Sequence, residues 1–375
     1  MQQLIIRGRG SLNAANIAEL MAKTGMHRPM LVCSQRMEKD FAARTDLTLT
    51  LFCGYHPNPD LADAVAGAEM YREMGCDGLI SVGGGSAMDT AKAVKALLLA
   101  GGMEAVRRNQ LPEGKLPHIA IPGTAGTGAE ATPIAVVYEN NEKLSLDHPA
   151  LLPEGIILDG SLLDTLPLYH KKACAMDALC QGIESYWAVK ATAESRIHAE
   201  KAILGVLHNM DAYLAGEAAA ADAVLEAAYE SGCAIRISRT TAAHAMSYQI
   251  TKRLGYAHGY ACMLTLPHLW NHLFESGKAA ETLTELSVEM GLHSSGFYGG
   301  PLLQGLLAET DMLPDIMPDD ATLDALAASV NTQRLGNHPE SLTPAELREI
   351  YVHAFTPLSE DEKDGLASMW RHYAG

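Results

Sequence analysis

Up to about residue 160, short apolar runs alternate with segments of helical character. The runs PMLVCS, LTLTLFC, GLISVGG, PHIAIPG, IAVVY and GIILD predict strands. ADAVAGAEMYREMG and AMDTAKAVKALLLAGG predict helices, the first closing on Gly75 as a C-terminal cap. Such alternation builds a mostly parallel sheet covered on both faces. From SLLDTLP onward the strand signal stops. Long Ala- and Leu-rich stretches follow, such as TAESRIHAEKAILGVLHNMDAYLAG and ADAVLEAAYESGCAIRIS. The shift places a boundary near Gly160–Pro167, with an α/β domain over 1–162 and an all-α domain over 163–375.

Composition narrows the partners. The 375 residues are 48 % hydrophobic and 19 % charged, enough for two globular domains. A net charge of −17 argues against nucleic acid and anionic membranes, which are bound through accumulated positive charge. No run approaches the roughly 18 apolar residues needed to span a bilayer, and MQQLIIRGRGS lacks the build of a signal peptide. The seven cysteines, at 33, 53, 76, 174, 180, 233 and 262, form no CxxC pair. That usage fits the reducing cytoplasm.

Two glycine-rich turns carry the first candidate chemistry. GLISVGGGSAMDTAKAV reads as strand, Gly83-Gly84-Gly85-Ser86, then helix. Glycines admit a ligand close to the backbone, and the helix N-terminus offers N–H groups and a positive dipole end to a diphosphate. IPGTAGTGAEAT repeats the arrangement after another strand and adds the hydroxyls of Thr124 and Thr127. Tight turns without a ligand also use such glycines, but two of them at strand ends of one sheet suit a dinucleotide. After the strand in LVCSQR comes Ser34, with Arg36 nearby and no acid, which leaves room for a 2′-phosphate.

Two distant helical segments carry the second. In DALCQGIESYW, Asp177 and Gln181 lie one turn apart on one face. In TTAAHAMSYQITKRLGYAHGYA, His244 and Tyr248 share a face, and His258 follows a helix break. One carboxylate, one amide and two imidazoles suit a divalent cation with an open position. Histidines that merely pack or cap a helix give the same spacing.

Taken together, GGGSAMDTAK, IPGTAGTGAEAT, DALCQGIESY and AHAMSYQITKRLGYAHG resemble the group III, iron-containing alcohol dehydrogenases, in order from about residue 5 to 355. The resemblance implies a Rossmann-like N-terminal domain and a helical C-terminal domain, the architecture shared with dehydroquinate synthase. It also implies a cleft between them for NADH or NADPH and a divalent metal. On that pattern the ligands fall on Asp177, Gln181, His244 and His258. Gly84, Gly85 and Ser86 hold the diphosphate, with Asp89 in the same segment. Thr124 and Thr127 line the adenine and nicotinamide sides, and Lys143 lies near the nicotinamide ribose. Gln181 stands where most members have histidine, Tyr248 where most have a histidine linked to proton relay, and Ala257 where proline is usual. An amide oxygen in place of a nitrogen moves the preference toward harder ions, so Fe2+ is accompanied by Zn2+ and Mn2+ as candidates.

DALCQGIESYW, SRTTAAHAMSYQIT and SVNTQRLGNHP are similar to a phosphonoacetaldehyde reductase-like branch. That implies reduction of a short aldehyde with an anionic head group, by a homodimer in the family manner. Arg239, five residues before His244, and Arg236 suit phosphonate or sulfonate oxygens, or else belong to a solvated helix face. Asn337 and His338 join the substrate set on resemblance. Tyr248 and His258 are the expected catalytic residues; the proton comes from Tyr248, from water at the metal, or through ribose hydroxyls. Sulfoacetaldehyde reduction, a general short-chain alcohol or polyol dehydrogenase, and a non-catalytic binding protein are the alternatives.

Overall fold

A computed structural model describes residues 3–112, 114–140, 142–292, 296–331 and 335–374. Among the described residues there are eight strands: β1 (Leu4–Arg7), β2 (Pro29–Val32), β3 (Thr50–Phe52), β4 (Gly78–Gly83), β5 (His118–Pro122), β6 (Ile134–Glu139), β7 (Glu142–Asp147) and β8 (Gly155–Leu158). Six of them form one sheet in the order β1-β8-β5-β4-β2-β3, parallel throughout. Its inner strands β2, β4, β5 and β8 are buried along their whole length, the condition that makes a strand a continuous apolar run.

The side-chain period of two splits these strands between two cores. Met30, Val32 and Leu79 pack with Leu61, Ala64, Ala68 and Val94 on one face. Leu31, Cys33, Ile80, Val82, Ile119 and Ile157 pack with Ile17, Leu20 and Phe41 on the other. The sheet is covered on both sides, as expected.

One expectation needs correction. IAVVY is a strand, but β6 pairs antiparallel with β7 in a separate two-stranded sheet, with Ala135 opposite Leu146 and Val137 opposite Leu144. Its alternating burial marks a ribbon with one packed face. β1 is not among the strands that the sequence pattern predicts. Four residues at a sheet edge carry too short a period to read.

Contacts divide the chain into two compact units. The first is Met1–Leu166 with Ala218–Gly232; the second is Pro167–Glu217 with Cys233–Gly375. Residues 218–232 therefore belong with the α/β part, which a single helical domain over 163–375 does not anticipate. Charge pairing accounts for part of this: Arg7 Nε lies 3.0 Å from Glu226 and its guanidinium sits over the Tyr229 ring at 5.3 Å. The second unit is built of helices, among them Leu168–Trp187, Ala242–Leu254, His258–Glu275 and Pro344–Phe355. Among the described residues, no helix is long and apolar enough to cross a membrane.

Candidate functional site

In the first unit, the chain runs from β2 outward to β3 and returns to place β4 on the other side of β2. Strand order reverses there, and ligands of open α/β sheets bind beyond the strand ends at such a point. The turn after β4 meets this condition. Gly83 has φ +142°, and Gly84 precedes the helix Gly85–Ala100 without any side-chain cap. A Cβ on Gly84 would lie 3.2 Å from Thr124 Oγ1, and one on Gly85 would lie 3.1 Å from Thr127 Cγ2. The two glycine-rich turns thus touch, joined by the Gly123 amide donating to Gly83 O at 2.8 Å. Their open backbone fits a diphosphate.

Beneath them lies a buried polar network that the motif reading passes over. Lys92 is fully buried and donates to Ala129 O at 2.6 Å, Ile134 O at 2.7 Å and Thr132 Oγ1 at 3.3 Å. It ties the second turn and the start of β6 to the helix that follows the first. Asp89 accepts from the Val136 amide at 3.1 Å. Burial pushes Asp89 up to about 6 and Glu130 up to about 7, and pushes Lys92 down to about 8. Lys143, in β7, lies near enough to Asp89 to favour its charged form.

Ser34 and Arg36 are both engaged within the first unit. The Ser34 hydroxyl caps the helix Gln35–Thr45 by accepting from the Met37 amide, and the Arg36 guanidinium donates to Thr165 O at 3.1 Å and Oγ1 at 3.0 Å. The Ser86 hydroxyl accepts from the Asn58 amide at 3.3 Å.

In the second unit three helices bring Asp177, His244 and His258 together. Asp177 lies in the middle of Leu168–Trp187. His244 is in the first turn of Ala242–Leu254, which stops at Gly255 in the left-handed region. His258 opens the next helix. Gly259 lets that helix approach, since a Cβ there would overlap the Ala173 carbonyl oxygen and fall 2.6 Å from Asp177 Cβ. His244 Nε2 is 3.3 Å from Asp177 Oδ1, and His258 Nε2 is 3.9 Å from the same oxygen. The imidazoles cross edge to face with centroids 5.3 Å apart.

Cys262, one turn after His258, completes a set of four donors within 4.8 Å of one another. Asp177 Oδ1 and His244 Nε2 are buried and lack a hydrogen bond, so two strong donors face each other without a proton partner. A divalent cation fits there: it satisfies both and balances the carboxylate.

Glu184 explains the orientation of His244. Fully buried two turns after Asp177, its Oε1 accepts from the Thr241 amide (3.1 Å) and hydroxyl (2.6 Å) and from the Ala243 amide (2.8 Å). Its Oε2 pairs with His244 Nδ1. Held through Nδ1, the ring presents Nε2 to the cluster. Burial opposes ionisation of both carboxylates. The imidazole beside them prevails, however, and both Asp177 and Glu184 stay below the usual carboxylate range. For His244, burial is outweighed by Cys262, Glu184 and Asp177, so its pKa lies well above the ordinary imidazole value and a cation would have to displace the Nε2 proton.

Sequence reading missed Glu184 and Cys262. Both were within reach of periodicity, because Glu184 shares a face with Asp177 and Gln181, and Cys262 with His258.

The remaining residues occupy the same unit. Gln181 is buried and hydrogen-bonds the Asp177 carboxylate. Tyr248 is half-buried, and burial raises its pKa, which makes it a weaker acid. Arg236 is half-buried in the last turn of Ala218–Ser238. Arg239 caps that helix with φ +65°, a strained value for a non-glycine residue, and folds its Nη1 onto Ile235 O and Arg236 O. Asn337 supports this bend, donating to Ser238 O at 2.8 Å and Thr240 O at 3.0 Å on either side of Arg239. His338 is buried against Trp187, at 6.1 Å between ring centroids, and burial pushes it down to about 4. Residues 332–334 of SVNTQRLGNHP lie outside the described residues.

A parallel α/β unit with paired glycine turns and a helical unit with a largely buried cluster that could hold a cation make up the two parts of the chain. Residues 3–160 match the family described as iron-containing alcohol dehydrogenase, and residues 172–355 match the C-terminal part of the Fe-containing alcohol dehydrogenase family. The chain belongs to this family. Phosphonoacetaldehyde reductase of Streptomyces viridochromogenes is 38 % identical over 242 residues, covering 60 % of this chain and 61 % of that one. The probable alcohol dehydrogenase EutG of Escherichia coli is 34 % identical over 215 residues, covering 56 % and 54 %. The matched segments thus span 54 % to 61 % of these relatives. Alcohol dehydrogenase 4 of Saccharomyces cerevisiae is 30 % identical over 69 % of each chain. Among solved structures, sulfoacetaldehyde reductase from Bifidobacterium kashiwanohense in complex with NAD+ superposes with a TM-score of 0.84 at 26 % identity, covering 94 % of this chain and 97 % of that one.

Proposed function

We propose that the protein is an NAD(P)H-dependent, metal-assisted reductase of a short aldehyde with an anionic head group, converting phosphonoacetaldehyde to 2-hydroxyethylphosphonate. The observation that carries this reading is the buried cluster of Asp177, His244, His258 and Cys262, with its two orphaned donors. The similarity to a phosphonoacetaldehyde reductase supports the substrate. Sulfoacetaldehyde is the second candidate, supported by the structural likeness to a sulfoacetaldehyde reductase.

In this reading the first unit binds the nucleotide through Gly84, Gly85, Ser86, Thr124 and Thr127, with Asp89, Lys143 and Ser34 around them. The second unit binds a divalent cation, Fe2+ by family and Zn2+ or Mn2+ otherwise, through Asp177, His244 and His258, with Gln181 beside them. When bound, the cation stabilises charge growing on a carbonyl oxygen, and the reduced nicotinamide supplies the hydride. The residues themselves hold geometry and protons. Glu184 keeps the His244 proton on Nδ1 and frees Nε2. The His258 side chain is 45 % exposed, so the cluster is open on its side. Arg239, with Arg236, Asn337 and His338 around it, binds the head group once its guanidinium turns from the helix carbonyls. Tyr248 Oη or solvent delivers the proton that completes the alcohol. The same reading has the enzyme in the cytoplasm as a homodimer; the seven scattered cysteines support that compartment.

The test is a panel of phosphonoacetaldehyde, sulfoacetaldehyde and acetaldehyde, run with NADH and NADPH on protein loaded with Fe2+, Zn2+ or Mn2+. Higher kcat/KM for an acidic aldehyde than for acetaldehyde is expected. Equal values, or no nucleotide oxidation with any metal, refute the proposal. Arg239→Ala is expected to weaken the acidic substrates alone by about 10- to 100-fold, the range of a lost charge-assisted contact.

A further inference from the structure

The geometry points to Cys262 as a direct thiolate ligand of the cation, taking the coordination position that an amide at residue 181 fills poorly. This inference rests on the metal reading above and deepens it.

Three strong donors, Asp177 Oδ1, His244 Nε2 and His258 Nε2, leave one protein position to fill, and a site that expands to five ligands still has a position open to a carbonyl oxygen. Gln181 and Cys262 are the two nearby side chains that remain. Gln181 has a neutral amide, already hydrogen-bonded to the Asp177 carboxylate. Cys262 has a sulfur that ionises to a strong donor and lies within 4.8 Å of the carboxylate oxygen and both imidazole nitrogens.

The backbone enforces this position. His258 is the first residue of its helix, and Cys262 lies one turn later on the same face. Helical side chains lean toward the N-terminus, which carries Sγ back toward His258, to 3.9 Å from its Nε2. Cys262 is fully buried, so solvent does not compete for the sulfur. Asp177 and His244 are 3 % and 8 % exposed, and the orphaned Asp177 Oδ1 and His244 Nε2 belong to the same cluster. The cysteine is therefore one donor of a converging set, not an isolated thiol.

The consequence is a choice of metal. One oxygen, two nitrogens and one sulfur form a softer set than one oxygen-type amide, one carboxylate and two imidazoles. Soft thiolate favours zinc and disfavours manganese. On binding, the thiol proton leaves to solvent and the sulfur lone pair forms the bond to the cation; no redox step is involved.

The experiment uses the full chain, stripped of metal and titrated with Co2+, then with Zn2+ and Mn2+ in separate titrations. The wild-type protein, Cys262→Ser and Cys262→Ala are compared. Expected in the wild type is an intense near-ultraviolet sulfur-to-cobalt charge-transfer band, absent in both variants. Zn2+ affinity is expected to fall in Cys262→Ala by more than the roughly 10- to 100-fold that loss of an outer-shell partner costs, while Mn2+ affinity changes little. Circular dichroism of the metal-free variants separates a lost ligand from a lost fold. Tight Co2+ binding without the band, with Zn2+ affinity unchanged in both variants, overturns the thiolate and leaves the metal site standing. Absence of Co2+ and Zn2+ binding by the wild type overturns the metal reading itself.

Discussion

Glu184 touches no open face of the cluster, yet it decides which nitrogen of His244 is available. Replacing it with Gln keeps most of the shape and removes the charge that orients and polarises the ring. Metal affinity of Glu184→Gln is expected to fall by about 10- to 100-fold, read by calorimetric titration with Zn2+; an unchanged affinity would mean that the ring is fixed otherwise. Gly259 is as strict for a steric reason. Gly259→Ala forces a methyl into the Ala173 carbonyl and against Asp177, an overpacking cost of about 1–3 kcal/mol in a urea unfolding curve. Tyr248→Phe is expected to lower kcat with metal content unchanged. An unaffected kcat would assign the proton to solvent.

Positioning of the glycine turns depends on how one helix meets the chain after β5. Lys92 makes that connection from inside the core through its three acceptors. Lys92→Met removes the ammonium's hydrogen bonds to Ala129 O, Ile134 O and Thr132 Oγ1, although Ala129 O keeps the Thr132 amide and hydroxyl; any buried group left without a partner costs about 1–3 kcal/mol. Nucleotide affinity is expected to drop although Lys92 does not reach the open side of either turn, as fluorescence titration with NADH would record. A loss of stability with NADH affinity intact would separate folding from positioning. In the same sheet, His118 is fully buried, with Nε2 2.8 Å from Ser81 Oγ and Nδ1 without a partner. Burial, with Lys95 and Lys92 nearby, lowers its pKa well below the ordinary 6.5. The folded state keeps the ring neutral while the unfolded chain takes up a proton below that value. This contribution to stability is complete above about pH 6.5 and is lost progressively as the pH falls beneath it. His118→Gln is expected to flatten the fall of the urea midpoint between pH 6.5 and 5.

In the proposed reading each unit brings one kind of chemistry, and metal binding would be linked to the folding of the unit that holds it. A cation that binds only the folded chain stabilises it by about 2.7 kcal/mol at a hundredfold excess over Kd. Zinc is therefore expected to raise the thermal midpoint and EDTA to reverse the rise. Asp177→Ala removes the response, and a midpoint indifferent to zinc in the wild type would remove the site. Much of this was legible in the chain. Apolar runs marked the inner strands, since strands buried on both faces need apolar residues throughout. Glycine turns were legible because backbone approach to a ligand admits few other residues. Asp177, His244 and His258 stood out through motif and helical spacing. Local pattern did not reveal that β6 leaves the parallel sheet for β7, that residues 218–232 return to the α/β unit, or that Arg36 is tied to Thr165. Nor did it expose the roles of Glu184 and Cys262: Glu184 pairs with His244, 60 residues on, and Cys262 meets Asp177 and His244 only once the helices pack. Periodicity states which way a side chain faces along its own helix or strand. What that face meets is set by close packing between segments remote in the chain, and there the donor set of this protein was decided.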